Sequence, residues 1–79
     1  MERYRNSSGD SGVQAYEIGD RFIAVRFKSG VTYWYTDASV GPKHLAEIKR
    51  LAQQGQGLST YISTHADVRA GYAKKDPDD

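Results

Sequence analysis

Hydrophobic patterning becomes regular only at Val13. Ahead of it, Asn6-Ser7-Ser8-Gly9-Asp10-Ser11-Gly12 holds turn formers with nothing to bury, so residues 1–12 read as a flexible N-terminal arm. Val13–Ile18 reads as a short strand. Gly19-Asp20 follows as a two-residue hairpin turn, with glycine first as a type II′ turn prefers. Residues 21–27 then alternate, Ile23, Val25 and Phe27 on one side and Phe22, Ala24 and Arg26 on the other, the period of a half-buried strand. Residues 31–36 are β-branched and aromatic throughout, which favours a third strand.

The connection between the second and third strands decides which side chains share a face. A two-residue Ser29-Gly30 loop would pair Phe27 with Thr32. A three-residue loop, Lys28-Ser29-Gly30, pairs Phe27 with Val31 and Val25 with Tyr33. The first needs positive φ at Ser29, the second only at Gly30. The three-residue loop also gathers Ile23, Val25, Phe27, Val31, Tyr33 and Tyr35 on one apolar face. A slip of one residue would reverse every side chain, so this register is the central expectation.

Residues 36–41 read as a connection. Pro42 suits the first helical position, and a helix is predicted over Pro42–Gln54, stopped by Gly55. Leu45, Ile48, Leu51 and Ala52 form its apolar stripe, with Lys43, Glu47 and Arg50 opposite. Ser59 is placed to cap a second, short helix holding Tyr61 and Ile62. Val68 and Tyr72 are further packing candidates. The expected fold class is therefore α+β: a three-stranded antiparallel β-meander, one main helix and a second short one. The domain spans residues 13–73, and residues 74–79 form a disordered acidic tail.

Seventy-nine residues allow one domain. No cysteine is present, which removes disulfides and thiolate metal sites. No apolar run reaches the roughly 18 residues of a membrane span. Met1-Glu2-Arg3-Tyr4-Arg5 lacks the apolar stretch of a signal peptide, and a cytoplasmic location is expected. Net charge is +1, but its distribution is uneven: residues 1–75 carry eleven basic and seven acidic side chains, a net of +4. Asp76-Pro77-Asp78-Asp79 then makes an acidic end.

Short motifs for catalysis lack their context. Gly9-Asp10-Ser11-Gly12 spells the nucleophile tetrapeptide of chymotrypsin-like proteases, but both histidines, His44 and His65, come later and no barrel precedes the serine. Two histidines without cysteine fall short of the three or four ligands of a metal site. Asp37, Glu47 and Asp67 are scattered. Gly55-Gln56-Gly57-Leu58-Ser59-Thr60 follows a helix and lacks the lysine of a phosphate loop. It reads as a helix stop and a cap. The chain is expected to be no enzyme, with no catalytic residue, cofactor or metal.

The second face of the meander carries Val13, Ala15, Glu17, Phe22, Ala24, Arg26, Thr32, Trp34 and Thr36. Ala24 opposite Trp34 leaves the flank of the indole open, with Arg26 nearby. Such a face suits base stacking. It equally suits a partner or homodimer interface, or burial under the arm or residues 66–75. Candidate contacts are Arg26, Lys28, Trp34 and Phe22, then Lys49 and Arg50. Partners expected are RNA, bound weakly and salt-sensitively, or a protein or second copy, with no membrane.

These residues also carry a family resemblance. Val13-x-x-Tyr16, Ile23-Ala24-Val25-Arg26-Phe27-Lys28-Ser29-Gly30 and Tyr33-Trp34-Tyr35 together resemble the KTSC domain, a small domain named for the C-terminus of some lysyl-tRNA synthetases and also found as a stand-alone bacterial protein. Its Tyr-x-Tyr hallmark stands here as Tyr33-Trp34-Tyr35. The likeness covers about residues 11–65 and loosens after the meander, where the family's serine and aromatics are missing from Ala52-Gln53-Gln54-Gly55. It implies a non-catalytic accessory module, with RNA binding following from the synthetase association, and brings no catalytic residues.

Overall fold

A computed structural model describes residues 1–6 and 12–77. In chain order the elements are β1 (Glu2–Arg3), β2 (Val13–Ile18), β3 (Phe22–Phe27), β4 (Thr32–Thr36), α1 (Asp37–Val40), α2 (Pro42–Gln54), α3 (Leu58–Thr64), α4 (Ala66–Arg69) and β5 (Lys74–Asp76). The α+β class and the antiparallel meander are as expected. The sheet, however, has five strands in the order β1-β2-β3-β4-β5, not three.

Both added strands lie at the edges. Glu2 and Arg3, within the expected arm, pair with Tyr16 and Ala15. Lys74, Lys75 and Asp76, within the expected tail, pair with Trp34, Tyr33 and Thr32. Each short strand satisfies backbone groups that β2 and β4 would otherwise expose. The remaining parts of those two segments, residues 7–11 and 78–79, lie outside the described residues, as do Gly9, Asp10 and Ser11 of the protease-like tetrapeptide.

The β3–β4 register follows the turn chemistry. Phe27 N–H donates to the Val31 carbonyl at 2.9 Å and Gly30 N–H to the Phe27 carbonyl at 2.9 Å, enclosing Lys28-Ser29-Gly30. Gly30 takes φ 95°, the left-handed conformation that selects glycine. Val25 faces Tyr33, Ile23 faces Tyr35 and Ala24 faces Trp34. The β2–β3 turn differs by one residue. Gly19 N–H donates to the Phe22 carbonyl at 2.9 Å, so Asp20 and Arg21 form the turn. A Cβ on Gly19 would lie 1.9 Å from Phe22 Cε1. Glycine is used there to admit the Phe22 ring, not to form the turn.

Between Val13 and Ala15 the β2–β3 pairing shifts, a bulge that re-aims the strand end. Val13, expected beside Ala15 and Glu17, therefore sits on the opposite face, across from Phe27, and is 1 % exposed.

One core joins the two layers. Val13, Tyr16, Ile23, Val25 and Tyr35 from the inner sheet face pack with Leu45, Ile48 and Ala52 of α2, Leu58 and Ile62 of α3, and Val68 of α4. The expected main helix and its Gly55 stop, at φ 85°, are observed. Residues 36–41 form more than a connection: Thr36 and Ser39 make reciprocal side-chain to backbone bonds that start α1. Ser59 does not cap α3, which begins at Leu58 after Gly57. Instead Leu58 N–H donates to the Tyr4 hydroxyl at 3.3 Å. Tyr4, from the expected arm, is buried in the core and performs the capping in its place.

Candidate functional site

The sheet presents two different faces. On the outer one, Trp34 stands between Ala24 of β3 and Lys74 of β5. The Lys74 ammonium lies 4.8 Å from the centre of the indole, within cation–π range. Arg26 and Thr32 form the next pair toward the β3–β4 turn, with Ala15 and Arg3 beyond Arg26. Phe22 pairs with Thr36 at the other end. Trp34 and Phe22 are partly buried, Arg26, Arg3 and Lys74 exposed. None of these residues belongs to the core that the helices share with the inner face. Ala24 is 1 % exposed, so the small residue forms the floor between larger neighbours.

Three of the six candidate contacts thus share this face: Arg26, Trp34 and Phe22. The other three lie elsewhere. Lys28 is in the β3–β4 turn, its N–H bonded to the Gly12 carbonyl at 2.8 Å. Lys49 donates to the Gly19 and Asp20 carbonyls at 2.7 and 3.1 Å, holding α2 against the β2–β3 turn. Arg50 is held by both oxygens of Glu47 and by Gln54. These hydrogen bonds lower the Glu47 carboxyl and raise the Arg50 guanidinium from their ordinary values. The Lys49 and Arg50 side chains are thus hydrogen-bonded within the chain, away from the outer face.

On the inner face, near the β3–β4 turn, a hollow of about 480 Å³ opens, and among the described residues its lining includes none from α2. Phe27, Val31, Tyr33 and Tyr35 form its sheet side, with Ile62 of α3, Arg69 of α4 and Tyr72 across from them. The aromatic rings meet edge to face: Phe27 and Tyr33 at 5.6 Å between centres, Tyr33 and Tyr72 at 4.9 Å. Lys28 also borders a second hollow of about 540 Å³ beside β1, with Arg3, Tyr4 and Arg5. Only Lys28 of these inner-face features was anticipated as a contact. Val68 and Tyr72 were expected to pack. Val68 is fully buried, whereas Tyr72 is 39 % exposed.

The two histidines and one of the scattered acids, Asp67, do converge. His44 of α2 bonds Asp67 of α4 through Nε2 at 2.9 Å and the Tyr61 hydroxyl of α3 through Nδ1 at 2.7 Å. A carboxylate only accepts, so in the neutral ring Nε2 carries the proton and Tyr61 donates to Nδ1. His65 stacks on Tyr61 at 3.9 Å between ring centres. The order carboxylate, imidazole, hydroxyl is that of a nucleophilic triad, but the electrostatics run against activation. Desolvation, then Glu47 and Asp67, raise the Tyr61 phenol above its ordinary value. The hydrogen bond from His44 holds the Asp67 carboxyl below its own. Neither hollow is lined by these side chains. The cluster ties three helices together.

Among the described residues no group of three or more histidines, cysteines or acids is placed to hold a metal ion, and no helix is long and apolar enough to cross a membrane. No protein-family model matches this chain, and no curated protein or solved structure matches it either.

Proposed function

We propose that this chain is a non-catalytic binding module of the KTSC type that holds single-stranded RNA on the outer face of its sheet. The observation carrying this reading is the placement of Trp34 on the face away from the helical core, with Arg26 on the neighbouring pair and Lys74 against its ring. A flat ring accepts any base by stacking, and flanking cations meet the phosphates. Arg3 extends the basic row across the sheet. Glu17 and Asp76 border the same face, which keeps the binding weak.

Trp34 is the only tryptophan, so its fluorescence reads this face directly. Titration with a mixed-sequence oligoribonucleotide of about ten nucleotides should quench it at low salt. With three cations in contact, log affinity should fall against log salt with a slope of about −2. Trp34→Ala should weaken binding by roughly 1–3 kcal/mol per stacked base. An unquenched indole at low salt defeats the reading. Salt-insensitive self-association abolished by Trp34→Ala would replace it with a homodimer interface.

A further inference from the structure

The hollow on the inner face is lined by a residue with an unused hydrogen-bonding group. Tyr35 is 2 % exposed, and among the described residues no hydrogen bond reaches its hydroxyl. Yet among the described residues no sealed side-chain oxygen or nitrogen lacks a partner. The hydroxyl therefore keeps a small accessible surface, and Tyr35 lines this hollow. An interior phenol left without a partner would be a standing cost unless something can reach it. Burial, then the neighbouring Tyr33 and Tyr72 phenols, push its ionisation well above the ordinary range. It remains a donor at any physiological pH, with two further hydroxyls close by.

The rest of the lining says what would reach it. A volume of about 480 Å³ falls within the roughly 300–1,000 Å³ of small-molecule pockets. The rings of Phe27, Tyr33 and Tyr72 offer faces and edges to a flat aromatic body. Lys28 and Arg69 stand among the lining residues, and among the described residues no carboxylate does. Both cations are exposed, so they serve the mouth. Arg3 and Arg5 lie across Lys28 in the adjoining hollow and add to the positive potential there.

We propose that this pocket binds a small aromatic carboxylic acid bearing a second oxygen. The ring lies among Phe27, Tyr33 and Tyr72, the carboxylate meets Lys28 and Arg69, and the inner oxygen accepts from the Tyr35 hydroxyl. The site is separate from the outer face and does not depend on RNA binding.

The test uses the full chain and 6-hydroxy-2-naphthoate, followed by backbone amide NMR. Shifts should centre on Lys28, Arg69 and Tyr72 while the Trp34 indole resonance stays in place. Two analogues divide the chemistry: 2-naphthoate lacks the inner oxygen and 6-hydroxymethyl-2-naphthol lacks the charge. Tyr35→Phe removes an unbonded hydroxyl and keeps the ring, so the fold is retained. It should weaken the hydroxynaphthoate by roughly 3- to 10-fold, one neutral hydrogen bond, and leave 2-naphthoate unchanged. Arg69→Ala should weaken both acids by up to about fivefold, as for an exposed ion pair, and spare the neutral analogue. Absence of shifts at millimolar ligand overturns the proposal, as do shifts centred on Trp34. Equal affinity for the neutral analogue overturns the acid assignment, and an unaffected Tyr35→Phe overturns the inner contact.

Discussion

Tyr33, Trp34 and Tyr35 are consecutive, yet the middle ring meets different surroundings from its neighbours. Tyr35 is 2 % exposed and packs in the core with Ile23, Val25 and the helices. Tyr33 lies on the same face but farther toward the pocket, with Phe27 and Tyr72 on its edges. Trp34 points away from that core and is covered in part by Lys74, from the adjoining edge strand. A five-stranded sheet with helices packed on one side thus has one face fixed by burial and one free to vary. Stability should concentrate on the first, and contacts with other molecules can use the second at little cost to folding.

The sharpest way to break this comparison is to truncate the inner ring. Tyr35→Ala should lose about 3–5 kcal/mol, the cost of removing a large buried aromatic. That equals the whole stability supplied by a single core of this size. Thermal denaturation should show no cooperative transition near that of the parent. Tyr33→Ala, at the rim of the hollow, should lose less. A Tyr35→Ala melt within a few degrees of the parent would mean that the inner face is not the core.

That division was legible in the sequence because one residue decides it. Gly30 alone can take the positive φ of the three-residue loop, and the register of every β3–β4 pair follows. The main helix was equally plain, since Pro42, the Leu45–Ile48–Ala52 stripe and Gly55 agree. What escaped has no local period. The bulge at the start of β2, which turns Val13 inward, needs no special residue type. Strands of two and three residues, β1 and β5, are too short to alternate and exist through pairing with the meander. Tyr4 caps α3 across 54 residues of chain, so no nearby residue announces it. The candidate contacts divide the same way. Register placed Arg26 and Trp34 on one face, but whether Lys49 and Arg50 were free depended on which carbonyls and side chains the fold brought beside them. The pocket needed α4 to bring Arg69 and Tyr72 across from β4.

On the outer face the corresponding truncation should be milder. Trp34→Ala leaves no cavity beneath the helices and removes a partly exposed ring with its Lys74 contact. A loss of about 2 kcal/mol is expected, below the range for a fully buried aromatic. The variant should still melt cooperatively and keep the pocket. If it destabilises as much as Tyr35→Ala, the two faces are equivalent and the separation of folding from binding fails.

Gly30→Ala tests the element that sets the faces apart. A Cβ there meets nothing within 4 Å, so the cost is conformational strain alone, about 1 kcal/mol for a left-handed residue. Denaturant unfolding should show a lowered midpoint with an unchanged slope. Contacts between the amides of Val25 and Tyr33 should persist by NMR. A variant whose Trp34 becomes buried and whose Tyr35 becomes exposed would instead have slipped by one residue.

The smallest effect concerns the layer that makes the inner face an interior. His44, Tyr61 and Asp67 join α2, α3 and α4, and the bond from His44 depresses the Asp67 carboxyl below its ordinary value. A carboxyl depressed in the folded state stabilises that state above its unfolded pKa. The contribution disappears as pH falls through the folded value. Asp67 is well exposed, so the change should be slight. Glu47, depressed by Arg50, titrates in the same direction and would mask it in the parent alone. The informative quantity is the difference in Tm between the parent and Asp67→Asn, followed from pH 6 downward. The parent should be the more stable near pH 6, and the gap should narrow as pH falls below the ordinary carboxylate range toward the depressed value of Asp67. Near-ultraviolet bands of the inner tyrosines should follow the change, while Trp34 emission stays constant until global unfolding. A gap independent of pH would mean that the asparagine replaces the carboxylate as acceptor for His44, and that geometry, not charge, holds the helices over the sheet.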